Sequence, residues 1–283
     1  MPLAKIADLN NPEAPQLIGL AKKLSTMYDD FLDNFPNDAH ERAPGIHASD
    51  INSCVRRSVY CLTKIERRRQ ISRHWQKRFQ TGHAIHGMVQ SQMKRMAIVE
   101  NAKRQAETLA YDNGWHLSFE DEVKVSPKHQ KLAEYYQLHS SCDGVFSFRH
   151  NPGEEPFLRI GLEIKTESPD GFAGLRAPKS YHVQQMHLYM AALDLPLAWF
   201  FYFNKGNQNN TGSEAPWLIT FDPAVWKRLE LRIHSALEAE KTGQLPPREE
   251  GVHCEFCPWS WTCEPKHTNQ DRPTRSYTNP FKR

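Results

Sequence analysis

The stretch Gly161-Leu162-Glu163-Ile164-Lys165-Thr166 decides how this chain is read. Phe157, Ile160, Leu162 and Ile164 give it the apolar character of a strand. Side chains alternate between faces along a strand, so Glu163 and Lys165 share one face. A carboxylate and an ammonium there are costly to bury unless something uses them. One reading is a surface salt bridge on an edge strand, because charged pairs are common and short motifs carry little specificity. The other brings in Asp143, upstream in a second strand-like run from Leu138 to Phe148. Two acids and a lysine on neighbouring strands suit a hard divalent cation, a phosphate and an attacking water.

Outward from that stretch, the chain has 283 residues, enough for one large domain or two small ones. Hydrophobic residues make up 39 % and aromatics 11 %, so it can build a core. The net charge is only +3, so any nucleic-acid surface must come from clustered cations rather than overall charge. No stretch approaches the ~20 apolar residues of a membrane span. The start of the chain shows no signal-peptide pattern, which points to the cytoplasm. There, six cysteines read as metal ligands or buried thiols rather than disulfides.

Upstream, residues 1–45 read as an N-terminal extension with an amphipathic helix through Leu17, Leu20, Ala21, Leu24, Tyr28, Phe31 and Leu32. A second helix is predicted from Ser49 or Asp50 onward, carrying Cys54, Arg56, Arg57, Tyr60, Cys61 and Lys64 into Arg67, Arg68 and Arg69. That basic run reads as a solvated face or as a phosphate contact. A long helix over about 74–110 places Gly82 and His86 on one face. A lone helical histidine is ordinarily structural and becomes a ligand only beside other ligands.

Strands are predicted at 115–125 and 135–148, then the Glu163 strand, then a loop over 167–179 whose prolines and glycines suit a mobile cover. A helix over 180–193 carries His182, Gln185 and Tyr189 on one face, with an apolar stripe of Val183, Met186, Met190 and Leu193. It packs on a sheet and presents either an ordinary polar edge or donors for a phosphate or lysine. Two strands, 195–203 and 217–221, and a helix over 223–242 ending at Gly243 complete the pattern. The order predicts an α/β fold bordering on α+β, with a mixed sheet flanked by helices.

After Leu245-Pro246-Pro247 come Cys254, Cys257 and Cys263, spaced C-x2-C-x5-C. Thiolates so close suit zinc or an iron–sulfur cluster, against the other reading of three unrelated cysteines. A fourth ligand must come from elsewhere; Cys54 and Cys61 are the candidates, and their placement on one helix does not choose between them. Cys142 reads as a buried apolar residue. Residues 266–283 form a polar tail.

Taken in order, His86, Asp143, Glu163, Lys165, Gln185 and Tyr189 resemble the motifs of the RecB-like branch of the PD-(D/E)XK nucleases. With Cys54 ahead of Arg56 and Arg57, and the C-x2-C-x5-C run, the chain is most similar to the iron–sulfur exonucleases of that branch. These are the CRISPR-associated "Cas four" proteins and the nuclease domain of AddB. The resemblance spans about residues 46–265 and implies a restriction-endonuclease-like sheet closed by an iron–sulfur staple. It implies that His86, Asp143, Glu163 and the Ile164 carbonyl hold Mg²⁺ or Mn²⁺. Lys165 would orient and help deprotonate the attacking water, and Gln185 and Tyr189 would position Lys165 or the phosphate. Cys54, Cys254, Cys257 and Cys263 would hold a [4Fe-4S] cluster, the family position favouring Cys54 over Cys61. Ser140 departs from a glycine common in the family, and the N-terminal helix is additional. The implied activity is a metal-dependent DNA exonuclease acting on single strands, with Arg56, Arg57, Arg67, Arg68 and Arg69 along the DNA and protein partners in recombination or CRISPR adaptation. The alternatives are a non-catalytic iron–sulfur module that binds nucleic acid or a partner, and a zinc-stapled endonuclease.

Overall fold

The structure, a computed structural model, describes residues 26–27, 43–68, 73–108, 115–207, 217–251, 253–254 and 257–263. The expected amphipathic helix, apart from Thr26 and Met27, lies outside these residues, as do Arg69 and the tail 266–283. In chain order the elements are α1 (Ala48–Ile51), α2 (Val55–Leu62), α3 (Arg73–Thr108), β1 (His116–Val125), α4 (Lys131–Tyr135), β2 (Ser140–Arg149), β3 (Leu158–Glu167), α5 (Pro169–Ala173), α6 (Ser180–Leu193), β4 (Leu197–Asn204), β5 (Trp217–Thr220), α7 (Pro223–Thr242) and α8 (Ser260–Cys263).

The strands form one mixed sheet in the order β1-β2-β3-β4-β5. The β1–β2, β2–β3 and β4–β5 pairs are antiparallel. The β3–β4 pair is parallel, with α6 as its crossover. Alternation along β3 divides the core. Leu162 and Ile164 join Val89, Met93 and Ala97 of α3 on one side. On the other side, residues of α1, α2, α6 and α7 pack over β1, β2 and β4. The result is the helix-flanked α/β sheet that the sequence predicts. Gly161 faces α6: a Cβ there would meet the Met186 side chain at 2.2 Å, so glycine lets helix and sheet close up.

The element pattern departs from expectation in three places. The helix predicted from Ser49 is two pieces. The Ser53 hydroxyl donates to the carbonyls of Ser49 and Asp50 and closes a turn, and Cys54 is extended at φ −159° as the N-cap of α2. Cys54 and Cys61 therefore do not share a helix face. The strand predicted from 135 starts at Ser140, because α4 and a left-handed Gln137 (φ 52°) occupy the preceding residues and only Leu138 bridges to Ile46. The loop 167–179 contains α5, whose first turn is capped by the Ser168 hydroxyl accepting from the Gly171 N–H.

Candidate functional site

Glu163 and Lys165 project from β3, the middle strand of the five, toward the α6 side. The edge-strand reading is thereby excluded. Glu163 is only 1 % exposed, and Lys165 Nζ stands 2.5 Å from its Oε1. Lys165 thus covers Oε1, while Oε2 is buried with no hydrogen-bond donor among the described residues. Burial pushes the Glu163 carboxyl up to about 7 against the pull of the Lys165 cation, and the nearby Asp143 charge adds to the rise. For Lys165, burial lowers the pKa, but the Glu163 and Asp143 charges outweigh it and the net direction is upward. Lys165 is a cation in this arrangement.

Asp143 sits on β2 where the ladder to β3 opens. The last backbone pair is Gly144 with Leu162, and beyond it Asp143 Oδ2 accepts the Ile164 N–H at 2.6 Å. His86 reaches the same carboxylate from α3, with Nδ1 3.5 Å from Oδ1. Asp143, Glu163, Lys165 and His86 are thus brought together from one helix and two strands. On α6, Gln185 Nε2 donates to the Tyr189 hydroxyl at 3.1 Å. Burial, and then the Glu163 charge, push that hydroxyl's pKa well up, which places Tyr189 in the same field. Next to Lys165 on β4, Tyr202 shares its hydroxyl with the Lys179 N–H at 3.0 Å and His182 Nδ1 at 2.7 Å. Burial, then the Lys165 and Lys179 cations, hold His182 down at about 2, so its ring is neutral.

A residue that the motifs do not flag also meets Asp143, and a second holds it in place. Gln90 of α3 donates through Nε2 to the Asp143 carbonyl at 2.8 Å and to Glu122 Oε1 at 3.0 Å. Glu122 of β1 is left-handed at φ 51°. Helical spacing from His86 places Gln90 on the same face of α3, a signal present in the sequence. Nothing in the sequence marks the backbone conformation of Glu122.

The cysteines are less gathered. Cys54 and Cys257 are buried; burial raises both thiols, and each feels the charge of Cys263. Cys257 and the half-buried Cys61 and Cys263 pack around Tyr60 and Trp259, whereas the Cys254 thiol donates to the Glu249 carbonyl at 3.7 Å. Among the described residues, no three His, Cys, Asp or Glu side chains close on a single point as they stand. Cys142 is fully buried in the core, as the sequence predicts.

Four of the arginines expected along DNA have protein partners. Arg56 donates to the Pro246 carbonyl at 2.7 Å and to Cys263 Sγ at 3.8 Å. Arg57 pairs with the buried Asp50 at 2.6 Å. Arg67 lies 5.4 Å from the ring centre of Trp259, and Arg68 4.0 Å from that of Trp261.

No protein-family model and no curated protein matches the chain. Among solved structures it is similar to SSO0001, with 16 % identity and a TM-score of 0.44, covering 86 % of this chain and 98 % of that one. It is also similar to the alkaline exonuclease LHK-Exo from Laribacter hongkongensis, with 11 % identity and a TM-score of 0.42, covering 72 % of this chain and 91 % of that one. The complex of LHK-Exo with dAMP gives 14 % identity and a TM-score of 0.40, covering 71 % and 90 %. The roles of this chain's residues rest on its own geometry. None of its helices, among the described residues, is long and apolar enough to cross a membrane.

Proposed function

We propose that this protein is a metal-dependent DNA exonuclease acting on single-stranded ends. One observation carries the reading: Glu163 is buried with Oε1 against the Lys165 cation, with no hydrogen-bond donor on Oε2 among the described residues, and within the field of Asp143. A buried carboxylate oxygen without a donor calls for a partner of another kind. Hard carboxylate oxygens with a histidine nitrogen beside them are the right donors for Mg²⁺ or Mn²⁺. Asp143, Glu163 and His86, which do not close on one point as they stand, would draw together to hold the ion, with the Ile164 carbonyl beside them. Such an ion supplies charge neutralisation at the phosphate and a more acidic bound water.

The protein's own part follows from its charges. Hydrolysis adds a water oxygen to phosphorus and breaks one phosphorus–oxygen ester bond, gathering negative charge on the phosphate oxygens. Lys165, held as a cation by Glu163 and Asp143, stabilises that charge. Tyr189 and Gln185 hold each other and line the α6 side of the site, where they position Lys165 or the scissile phosphate. The clustering of Arg56, Arg57, Arg67, Arg68 and Arg69 in the sequence supports a cationic approach for DNA, with the charges of Arg57 and Arg68 offset in part by Asp50 and Glu66.

We extend the reading to a [4Fe-4S] cluster on Cys54, Cys254, Cys257 and Cys263. It is supported by the mutual electrostatic reach of Cys54, Cys257 and Cys263, which come from opposite ends of the chain. The thiols as they stand do not form a closed ligand set, so no chemical step is assigned to the cluster. Iron and zinc content of the purified protein tests it: about four irons and a brown colour are expected, and colourless, iron-free protein would remove the cluster. The domain reading goes with this proposal, with a nuclease domain over 46–265, an N-terminal extension over 1–45 and a tail over 266–283. The protein is proposed to work in the cytoplasm with partners in recombination or CRISPR adaptation.

End-labelled single- and double-stranded DNA, with free and blocked ends, tests the activity in Mg²⁺, Mn²⁺ or chelator. Cation-dependent loss of nucleotides from free single-stranded ends is expected. Lys165→Ala should lower the rate by about 10²–10³-fold while DNA binding persists. A Lys165→Ala protein that cleaves at the normal rate would refute the site.

A further inference from the structure

The β1–β2 ladder is in register from His116 opposite Arg149 to Val125 opposite Ser140 except at one place. Asp121 pairs with Gly144 and Val123 with Cys142; between them Glu122 and Asp143 do not pair. No residue is inserted, so this is not a bulge. Glu122 instead turns left-handed, at φ 51°, in the middle of a strand. A non-glycine residue in that conformation is strained and persists only where its surroundings hold it. Here both carboxylate oxygens are held: Gln90 donates to Oε1 at 3.0 Å and the Ser141 hydroxyl to Oε2 at 2.6 Å.

The same Gln90 amide donates to the Asp143 carbonyl at 2.8 Å, supplying a donor where the ladder has no pair. On its other edge, Asp143 uses its own carboxylate to take the Ile164 N–H. The residue is thus lifted out of both ladders by side chains. Gln90 is itself 6 % exposed, so its amide has no easy exchange with water.

We propose that Gln90 and Glu122 are positioning residues. They hold the Asp143 backbone out of regular pairing so that its carboxylate faces the cation site with His86 and Glu163. The inference rests on the nuclease reading above and deepens it: cation affinity in this chain would depend on an amide from α3 and a strained residue of β1.

The test is Mn²⁺ binding to metal-free protein by calorimetry, with nuclease rates and thermal melts alongside. Wild type and Asp143→Asn are the controls. Gln90→Met keeps length and apolar volume but removes both donated bonds. It should weaken Mn²⁺ binding about tenfold, the lower end for groups that orient metal ligands, and lower kcat while KM for DNA holds. Glu122→Ala should do the same, and Glu122→Gln, which keeps an acceptor for Gln90, should recover most of the affinity. Mn²⁺ binding by Gln90→Met equal to wild type would overturn the inference. So would equal losses in Glu122→Gln and Glu122→Ala, since Glu122 would then act as a ligand. If wild type neither binds Mn²⁺ differently from Asp143→Asn nor cuts DNA, the nuclease reading itself fails.

Discussion

His182 shows how a single buried side chain sets an acid limit. Its ring is neutral because burial and the Lys165 and Lys179 cations hold its pKa at about 2, against an ordinary value of 6.5. Below pH 6.5 the unfolded chain takes up a proton that the native ring refuses, so native stability falls as pH drops through this window. Between pH 7 and pH 5 the loss from this residue is about 2 kcal/mol. His182→Gln should melt below wild type at pH 7, having lost the bond to Tyr202, and the gap should narrow at pH 5. Thermal melts at the two pH values read it; an unchanged gap would mean that the ring is protonated in the native state. The mutual dependence of Asp143 and Ile164 belongs to the same scale. Asp143→Ala should leave the Ile164 N–H without its acceptor and cost about 1–3 kcal/mol besides activity, whereas Asp143→Asn, which keeps an acceptor, should cost less.

At the scale of elements, the ends of the described chain are closed on each other by contacts that need no metal. Glu249 accepts the Val55 N–H at 2.7 Å, capping the start of α2, and is gripped by the two terminal guanidinium nitrogens of Arg232 from α7, at 2.5 and 3.0 Å. Arg232 also donates to the Ile51 carbonyl. Glu249→Ala should therefore cost about 2 kcal/mol, seen as a lower denaturant midpoint. Beyond α2, Trp259 donates to the Ile65 carbonyl and Trp261 to the Glu66 carbonyl, while Arg67 and Arg68 lie over the two indoles. Replacing Arg67 and Arg68 by Ala should cost about 1 kcal/mol each in stability. It should also reduce the salt slope of DNA binding by about one for each phosphate lost. Lowered stability with an unchanged slope would leave these arginines a structural role alone.

For the whole molecule the question is what closes the fold. The sequence points to thiolates as the tie between the segment at Cys54 and the C-terminal loop. In the structure, contacts that need no metal also join them: Trp259, 1 % exposed and packed with Tyr60, and Glu249, which accepts the Val55 N–H. Trp259→Ala should destabilise by about 3–5 kcal/mol, against about 1 kcal/mol for Cys257→Ala. If the order is reversed in protein carrying iron, the cluster holds the ends together and the aromatic contacts are secondary.

The sequence by itself determined the elements with strong local signals: the α6 stripe, the paired strands after it, and α7 with its proline start and its Gly243 stop at φ 72°. It also determined that Glu163 and Lys165 share a face, because alternation along a strand is a local property. Only the tertiary structure decided that this face is buried, since exposure depends on which strand is central. The start of α2 at Val55 is capped by Glu249, far along the chain, accepting the Val55 N–H. Gln90 and Glu122 were illegible as a pair for the same reason: their meeting at Asp143 is a contact between a helix and two strands, and no local pattern records it.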